Sequence, residues 1–466
     1  MNVILTVSSF IFPLITFPYV SRILLPEGTG KVSFAASVVN YFLLLAQLGI
    51  PTYGIRACAK VRDNKEALNK TVQEIFVISI IMCIVSYVLF LAALFCVPRL
   101  WREKELMIVT SASILFTTIG VEWFFKAIEL YSYITWRSIT FKCISLGAMF
   151  LLVHEQQDYI IYGAVSIFAS SASNILNFVY IQKFINLKKR CKLELRIHMK
   201  PILIFFAMSC ATTVYLNMDT TMLGFIKTDT DVGYYNAAVK IKNMLVGIVT
   251  SLGAVLLPRV TVYLEKKEQK RFEDLSVKAI QFVLFSSIPM LVYFTLFAEP
   301  SMLLLSGKEY ERAILPMQIM LPTLLFIGLT NIMGIQILVP MGKESKVLAS
   351  VIAGAVVDLV LNMILIPKYS VSGAAIGTVT AEVIVFIYQY FSDRELFQRL
   401  FSKINPWKII TATIASVCSS IWILKLNADL PVVLIMSCIC FGGTYIMSLV
   451  ILRERFILEL FRIIKK

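Results

Sequence analysis

Long apolar runs separated by short polar connections recur along the whole chain. A helix needs about 20 apolar residues to cross the hydrocarbon of a bilayer, with roughly 17–25 as the working range. Runs of that kind fall near 3–24, 32–49, 72–97, 106–125, 137–153, 158–182, 201–226, 236–257, 276–298, 313–340, 345–366, 372–392, 408–425 and 429–452. The pattern predicts an all-α integral membrane protein with about fourteen transmembrane helices. The run at 32–49 is weakened by a polar stripe, and the run at 408–425 is short. The first run lacks a basic lead and a small-x-small cleavage site, so it reads as a span and not as a cleaved signal.

Composition agrees. Of the 466 residues, 58% are hydrophobic and 16% charged, against roughly 45–50% and about 25% in soluble domains. The net charge of +15 would suit a nucleic-acid binder, but the basic residues sit in short clusters between apolar runs. A nucleic-acid surface gathers them on one face with aromatics for stacking, so no nucleic-acid partner is expected. The clusters instead report orientation. With the N-terminus inside, the connections 54–71, 126–142, 183–200, 259–278, 341–346, 393–408 and 453–466 hold 32 of the 44 Lys and Arg residues, and the opposite connections hold 9. By the positive-inside rule both termini face the cytoplasm. The basic connections at 183–200 and 259–278 fit a surface near anionic lipid headgroups.

A parallel repeat is visible within the pattern. In the second run Ser33, Ser37, Asn40, Leu44 and Gln47 share one helical face, and in the eighth run Asn236, Lys240, Asn243, Gly247 and Thr250 follow the same spacing. Each stripe leads to a proline, Pro51 or Pro258, and Leu68 and Leu275 each lie seventeen residues beyond it. Gly120 and Glu122 correspond to Gly334 and Gln336, and Tyr162-Gly163-Ala164 resembles Ser372-Gly373-Ala374. The expected organisation is a six-helix lobe at 1–182, a basic linker at 183–200, a second six-helix lobe at 201–392, and two further helices with a basic tail at 393–466.

Ionisable groups inside the membrane are costly, about 2.5–3.5 kcal/mol each on insertion scales, and need a partner or a wet cavity. Glu122 and Lys126 are spaced to pair, with Glu129 one turn beyond. Asp219 accompanies Asn217, Thr212 and Thr213 in the seventh run, and Asp358, Asn362 and Glu382 lie in the eleventh and twelfth. The last three read as interhelical hydrogen-bonding groups; the two matched stripes read as the walls of a hydrated cleft. Arg22 and Arg259 fall near span ends, where snorkelling serves equally well.

Chemistry is otherwise sparse. The nine cysteines are scattered, mostly in apolar runs such as those of Cys83, Cys143, Cys210, Cys418 and Cys438, and read as small buried hydrophobes. With two histidines, His154 and His198, no metal cluster or nucleophile pairing emerges. Gly30-Lys31 resembles the end of a phosphate loop, but Leu25 stands where its first glycine belongs and no strand precedes it. No catalytic residues, metal or cofactor are expected.

The run FPLITFPYVSRILLPEGTGKVSFAASVVNYFLLLAQLGIPTYGIRACAKVRD at 12–63 resembles the start of a Wzx-type polysaccharide-repeat flippase, in the multidrug/oligosaccharidyl-lipid/polysaccharide exporter superfamily. Further similarity lies in VEWFFKAIE at 121–129, YLNMDTTMLG at 215–224, VGYYNAAVKIKN at 232–243 and VSGAAIGTVTAE at 371–382. The resemblance implies two six-helix lobes around a central cavity, alternating access, and a polyprenyl-diphosphate-linked oligosaccharide carried to the outer leaflet of a bacterial cytoplasmic membrane for polymerisation. The cavity residues are then expected to be Arg22, Asn40, Gln47, Glu122, Lys126, Asn217, Asp219, Asn236, Lys240, Asn243 and Thr250, with Lys240 meeting the diphosphate. Asp219, Glu122 or Asp358 would carry a coupling proton or sodium ion, unless a downstream polymerase drives export by removing product. A lipid-linked peptidoglycan-precursor flippase and a cation-coupled multidrug exporter are the competing readings.

Overall fold

The computed structural model describes residues 2–185, 193–251, 253–426 and 428–454. It is helical, with no strand among the described residues. Contacts divide the chain into two compact units, Met1–Gly233 and Tyr234–Lys466.

The first unit contains α1 (Asn2–Gln47), α2 (Ile50–Val61), α3 (Lys65–Cys96), α4 (Pro98–Arg102), α5 (Lys104–Ile119), α6 (Glu122–Ala127), α7 (Tyr131–Leu152), α8 (Tyr159–Ile167), α9 (Asn174–Tyr180) and α10 (Arg196–Ile226). At about 1.5 Å per residue, the 46 residues of α1 would run about 70 Å, more than twice a hydrocarbon core of about 30 Å. The helix is broken at Leu25, with φ 58° and ψ 177°. Leu25 precedes Pro26, whose ring disfavours helical backbone at the residue before it. A second break follows at Leu48 (φ 44°) and Gly49 (φ 73°), and Pro51 then stands in the first turn of α2. Asn64 starts α3, its side chain accepting from the Glu66 and Ala67 amides at 3.0 and 3.1 Å. The core of this unit gathers Leu48, Ile50, Cys58, Ile75, Trp123 and Phe124.

Helix α11 (Asp229–Thr250) begins in the first unit and continues into the second. The second unit then holds α12 (Gly253–Glu265), α13 (Gln269–Leu296), α14 (Ala298–Ser306), α15 (Ile314–Met320), α16 (Thr323–Thr330), α17 (Glu344–Ser392), α18 (Arg394–Ser402), α19 (Trp407–Ser420) and α20 (Leu430–Ile451). Helix α17 spans 49 residues but reverses at Ser370, with φ 48° and ψ −125°. A Cβ on Gly377 would lie 2.6 Å from Asn362 Oδ1, although fifteen residues of straight helix would separate the two by about 22 Å. The two arms of α17 therefore lie side by side.

Helical residues fall in each of the fourteen expected segments, but 106–125, 158–182, 236–257 and 313–340 are each divided between two or more helices, and the count of fourteen spans does not emerge. By length and apolar composition, nine helices among the described residues are able to cross a membrane, or ten if the bent pair Lys308–Met320 and Thr323–Leu338 counts as one span. Two of the nine, Phe12–Val61 and Glu344–Ser392, contain the breaks at Leu25 and Ser370. Helices α7 and α11 stand where spans were expected but are not among the nine. The outer surfaces are apolar: Leu151 is 76% and Ile439 70% exposed, as suits a lipid solvent. That solvent also corrects the reading of the cysteines. Cys83 is buried, but Cys143, Cys418 and Cys438 are exposed, where a weakly polar thiol facing lipid costs little.

The contact boundary falls at Gly233, beyond the expected linker, because α10 packs along α1. Residues 186–192 of the expected 183–200 linker and the basic tail from 455 onward lie outside the described residues.

Candidate functional site

The polar stripe on the second arm of α1 meets α10. Asn40 Nδ2 donates to Asn217 Oδ1 at 3.0 Å, and Asn217 Nδ2 donates to the Thr213 carbonyl at 2.9 Å. One turn away, Thr221 Oγ1 donates to Ser37 Oγ at 3.0 Å. Beside these bonds lies a pocket of about 340 Å³, with Asn40, Gln47, Ser209, Thr213 and Asn217 among its walls. Gly49 brings the chain close at the pocket's edge, since a Cβ there would sit 2.4 Å from the Phe206 amide nitrogen. Three expected site residues, Asn40, Gln47 and Asn217, are thus gathered in one place.

Glu122 and Lys126 pair at 2.8 Å, as their spacing suggests. Glu129 does not extend the group: α6 ends at Ala127, Glu129 takes φ 61°, and its carboxylate pairs with Arg62 at 2.9 Å. A third member instead comes from α7. Arg137 lies 3.3 Å from Glu122 and reaches Asn174 Oδ1 at 3.3 Å and the Ser173 carbonyl at 3.4 Å. Arg137 is buried, and counting it with a solvated connection missed this role. Spacing gives no cue for a pair fifteen residues apart across a helix break.

Asp219 and Asn217 part company. They are two residues apart, about 200° around a helix, so Asn217 lines the pocket while Asp219 is buried on another face. Arg22 is exposed and donates to the Pro18 carbonyl at 2.9 Å, away from the pocket walls. In the second unit Asn236 and Lys240 are half-buried, Asn243 is exposed, and half-buried Thr250 donates to its own helix at the Val246 carbonyl, 2.9 Å away. Asp358 and Asn362 are fully buried between the arms of α17. Thr378, on the same second arm, is bonded to Tyr235 at 3.1 Å.

The sequence reading also missed a network joining α2, α3 and α10. His198 Nε2 lies 2.8 Å from Glu74 Oε2, and the Tyr53 hydroxyl lies 2.6 Å from His198 Nδ1. The other Glu74 oxygen accepts from the Glu194 amide at 2.8 Å, and Lys70 pairs with Glu194 at 2.9 Å. A carboxylate within an apolar run was the available signal for Glu74. Among the described residues no group of three or more His, Cys, Asp or Glu side chains is placed to hold a metal.

These are the features of a membrane transporter: apolar spans, broken helices and a pocket of mixed polar and apolar lining among the apolar helices. The chain belongs to the family whose model is described as "Polysaccharide biosynthesis protein", which matches residues 1–264, more than half of its length. A second family model, MatE, matches 205–364. A protein of Escherichia coli (strain K12) named "Putative O-antigen transporter" is 23% identical over 392 residues, covering 81% of this chain and 91% of the relative. Two solved structures share the fold. One, "Lipid II flippase MurJ, inward closed conformation", has a TM-score of 0.68 at 16% identity and covers 95% of this chain and 99% of its own. The other, an inward-facing multidrug resistance MATE family transporter of the MOP superfamily, has a TM-score of 0.63 at 16% identity, with coverages of 84% and 96%.

Proposed function

We propose that this protein is a flippase that moves a polyprenyl-diphosphate-linked oligosaccharide from the inner to the outer leaflet of a bacterial cytoplasmic membrane, by alternating access, for polysaccharide biosynthesis. It is a transporter and not an enzyme, as its family and relatives indicate. The observation that carries the substrate class is the pocket in which Asn40, Gln47, Ser209, Thr213 and Asn217 stand among Leu43, Leu44 and Leu216. A hydroxyl moved unpaired into hydrocarbon costs about 4–8 kcal/mol on the cyclohexane scale, so a sugar chain needs such amides and hydroxyls along its route. Its prenyl tail can stay in lipid.

In this reading Lys240 supplies positive charge toward the diphosphate, and Asn236, Asn243 and Thr250 make one polar face of α11. Glu122, Lys126, Asp219 and Arg22 are assigned to the route or its coupling. Both termini face the cytoplasm, by the bias of basic residues toward alternate connections. A polysaccharide polymerase is the expected consumer of the product.

The test is reconstitution. Purified protein in liposomes should render a fluorescent lipid-linked oligosaccharide of the host accessible to a quencher outside. Cells lacking the protein should accumulate that intermediate on the inner leaflet. Efflux of hydrophobic cations without movement of the oligosaccharide would instead favour the multidrug-exporter reading.

A further inference from the structure

Gly120 and Glu122 pair in sequence with Gly334 and Gln336, and contacts within each unit extend the pairing. In the first unit a Cβ on Gly120 would lie 2.5 Å from Asn174 Cβ and Cγ; in the second, one on Gly334 would lie 2.9 Å from Gln389 Nε2. Arg137 donates to Asn174 Oδ1 at 3.3 Å, and Gln389 Nε2 donates to Ser350 Oγ at 3.2 Å. Four positions therefore match, 120 with 334, 122 with 336, 137 with 350 and 174 with 389, at offsets of 213 to 215 residues. One local frame is built twice.

The two copies differ in charge. In the first, the Arg137 guanidinium bridges two oxygens, Glu122 Oε2 at 3.3 Å and Asn174 Oδ1 at 3.3 Å. In the second, Gln336 replaces the acid and Ser350 the guanidinium, while the acceptors are kept. Gln336 Oε1 and Gln389 Oε1 are buried without a hydrogen-bond partner, in residues only 4% and 2% exposed. Asn331 Oδ1 is a third such oxygen. A Cβ on Gly253 would lie 2.6 Å from it and 2.8 Å from Gln336 Nε2, so Asn331 and Gln336 face the same spot. Both belong to the π-helical turns Asn331–Leu338, a widened helix found often at functional sites. A buried acceptor without a donor is costly, and three in one region call for an occupant.

We propose that Asn331, Gln336 and Gln389 form a site for an alkali-metal cation, which takes in the second unit the place that the Arg137 guanidinium takes in the first. All three unpaired atoms are amide oxygens, so the occupant presents positive charge or donated hydrogens. Neutral amide oxygens suit Na+ or K+, as backbone carbonyls do in ion-selective pores. A divalent ion usually takes carboxylates. The exchange of a long arginine for a serine supplies the space. Gln336, Ser350 and Gln389 each lie within five residues of the connections 341–346 or 393–408, so the way in from water is short. Ser350 stands eight residues before Asp358 on α17, about 12 Å along the helix, which separates this site from the carboxylate clamped between the arms. The proposal does not depend on the flippase reading.

Melting of the purified full-length protein in detergent tests it, in NaCl, KCl and N-methylglucamine chloride at one ionic strength. The wild type should melt about 3 °C or more higher in at least one alkali salt than in N-methylglucamine. It should also bind radioactive sodium or rubidium, displaced by the unlabelled ion. Gln336→Met with Gln389→Met exchanges both amides for apolar chains of similar length. This variant should melt in N-methylglucamine no earlier than the wild type, and lose both the salt increment and the binding. Gln336→Glu restores the acid of the first unit without its guanidinium, and should bind the ion about threefold or more tightly. Equal melting of the wild type in all three salts, with no ion bound, would overturn the proposal in favour of a buried water. Unchanged or weaker binding in Gln336→Glu would overturn it too. So would a salt increment that survives the double Met variant but disappears in Asp358→Asn, which would put the ion between the arms of α17.

Discussion

Two polar groups on broken helices contrast sharply. On the second arm of α1, Asn40 and Gln47 are half-buried beside a pocket of about 340 Å³. In α17, Asp358 and Asn362 are 1% and 0% exposed, clamped against the glycine at 377 of the returning arm. Both sets are amide- or carboxylate-bearing, and both lie in apolar runs. What differs is the space beside them. A polar side chain with room to rebind can serve a substrate, whereas one packed against backbone specifies how two helices meet. The contrast teaches that polarity alone is a poor guide to a transport route; clearance separates route from fastening.

The largest effect should come from filling the fastening. Gly377→Val would place carbon 2.6 Å from Asn362 Oδ1 and 2.8 Å from Asp358 Oδ1. Neither neighbour is the loose end of a long side chain, so the arms must separate. We expect a loss of about 1–3 kcal/mol, seen as a lower melting temperature and less monodisperse protein in detergent. Unchanged melting would break the comparison, because α17 would then tolerate the space of a cavity.

An intermediate effect is expected at the pocket. Asn40→Leu with Gln47→Leu removes both amides at nearly constant volume, and Asn217 loses its partner at 3.0 Å. Melting should change little, since both positions are half-buried. Oligosaccharide flipping should fall by about tenfold or more, the equivalent of one or two hydrogen bonds to sugar. A variant that melts early but flips normally would reverse the roles assigned to the two regions.

Much of this contrast was legible in the sequence. The spacing of Ser37, Asn40 and Gln47 put them on one face, and Leu25-Pro26 and Pro51 stand at breaks because proline acts on its immediate neighbours. Separate runs at 345–366 and 372–392 already anticipated the reversal at Ser370. Partners were not legible. Asn40 bonds to Asn217 across 177 residues, and Glu74 reaches His198 across 124; periodicity carries no record of which faces will meet. Arg137 was misread for a related reason. Its neighbours in sequence suit a helix entering the membrane, and only the fold brings Glu122 and Asn174 to it.

The smallest and most selective effect should be at Lys240. It lies on the second stripe, half-buried like Asn40 and unlike Asp358, and the proposed function puts it on the route. Helical geometry sets Asn236 and Asn243 within about one turn on the same face. A cation with partial exposure attracts a diphosphate more strongly than one in bulk water, because the effective dielectric is lower. Lys240→Gln keeps length and hydrogen bonding but removes charge; Lys240→Arg keeps the charge. At matched protein levels the Gln variant should flip lipid-linked oligosaccharide about three- to tenfold more slowly, corresponding to roughly 1 kcal/mol, and the Arg variant should stay near wild type. Added salt should narrow the gap between wild type and the Gln variant, since screening weakens only the charged protein. Equal rates for Gln and wild type at low salt would remove Lys240 from the route and leave it as a side chain that reaches the interface along its helix.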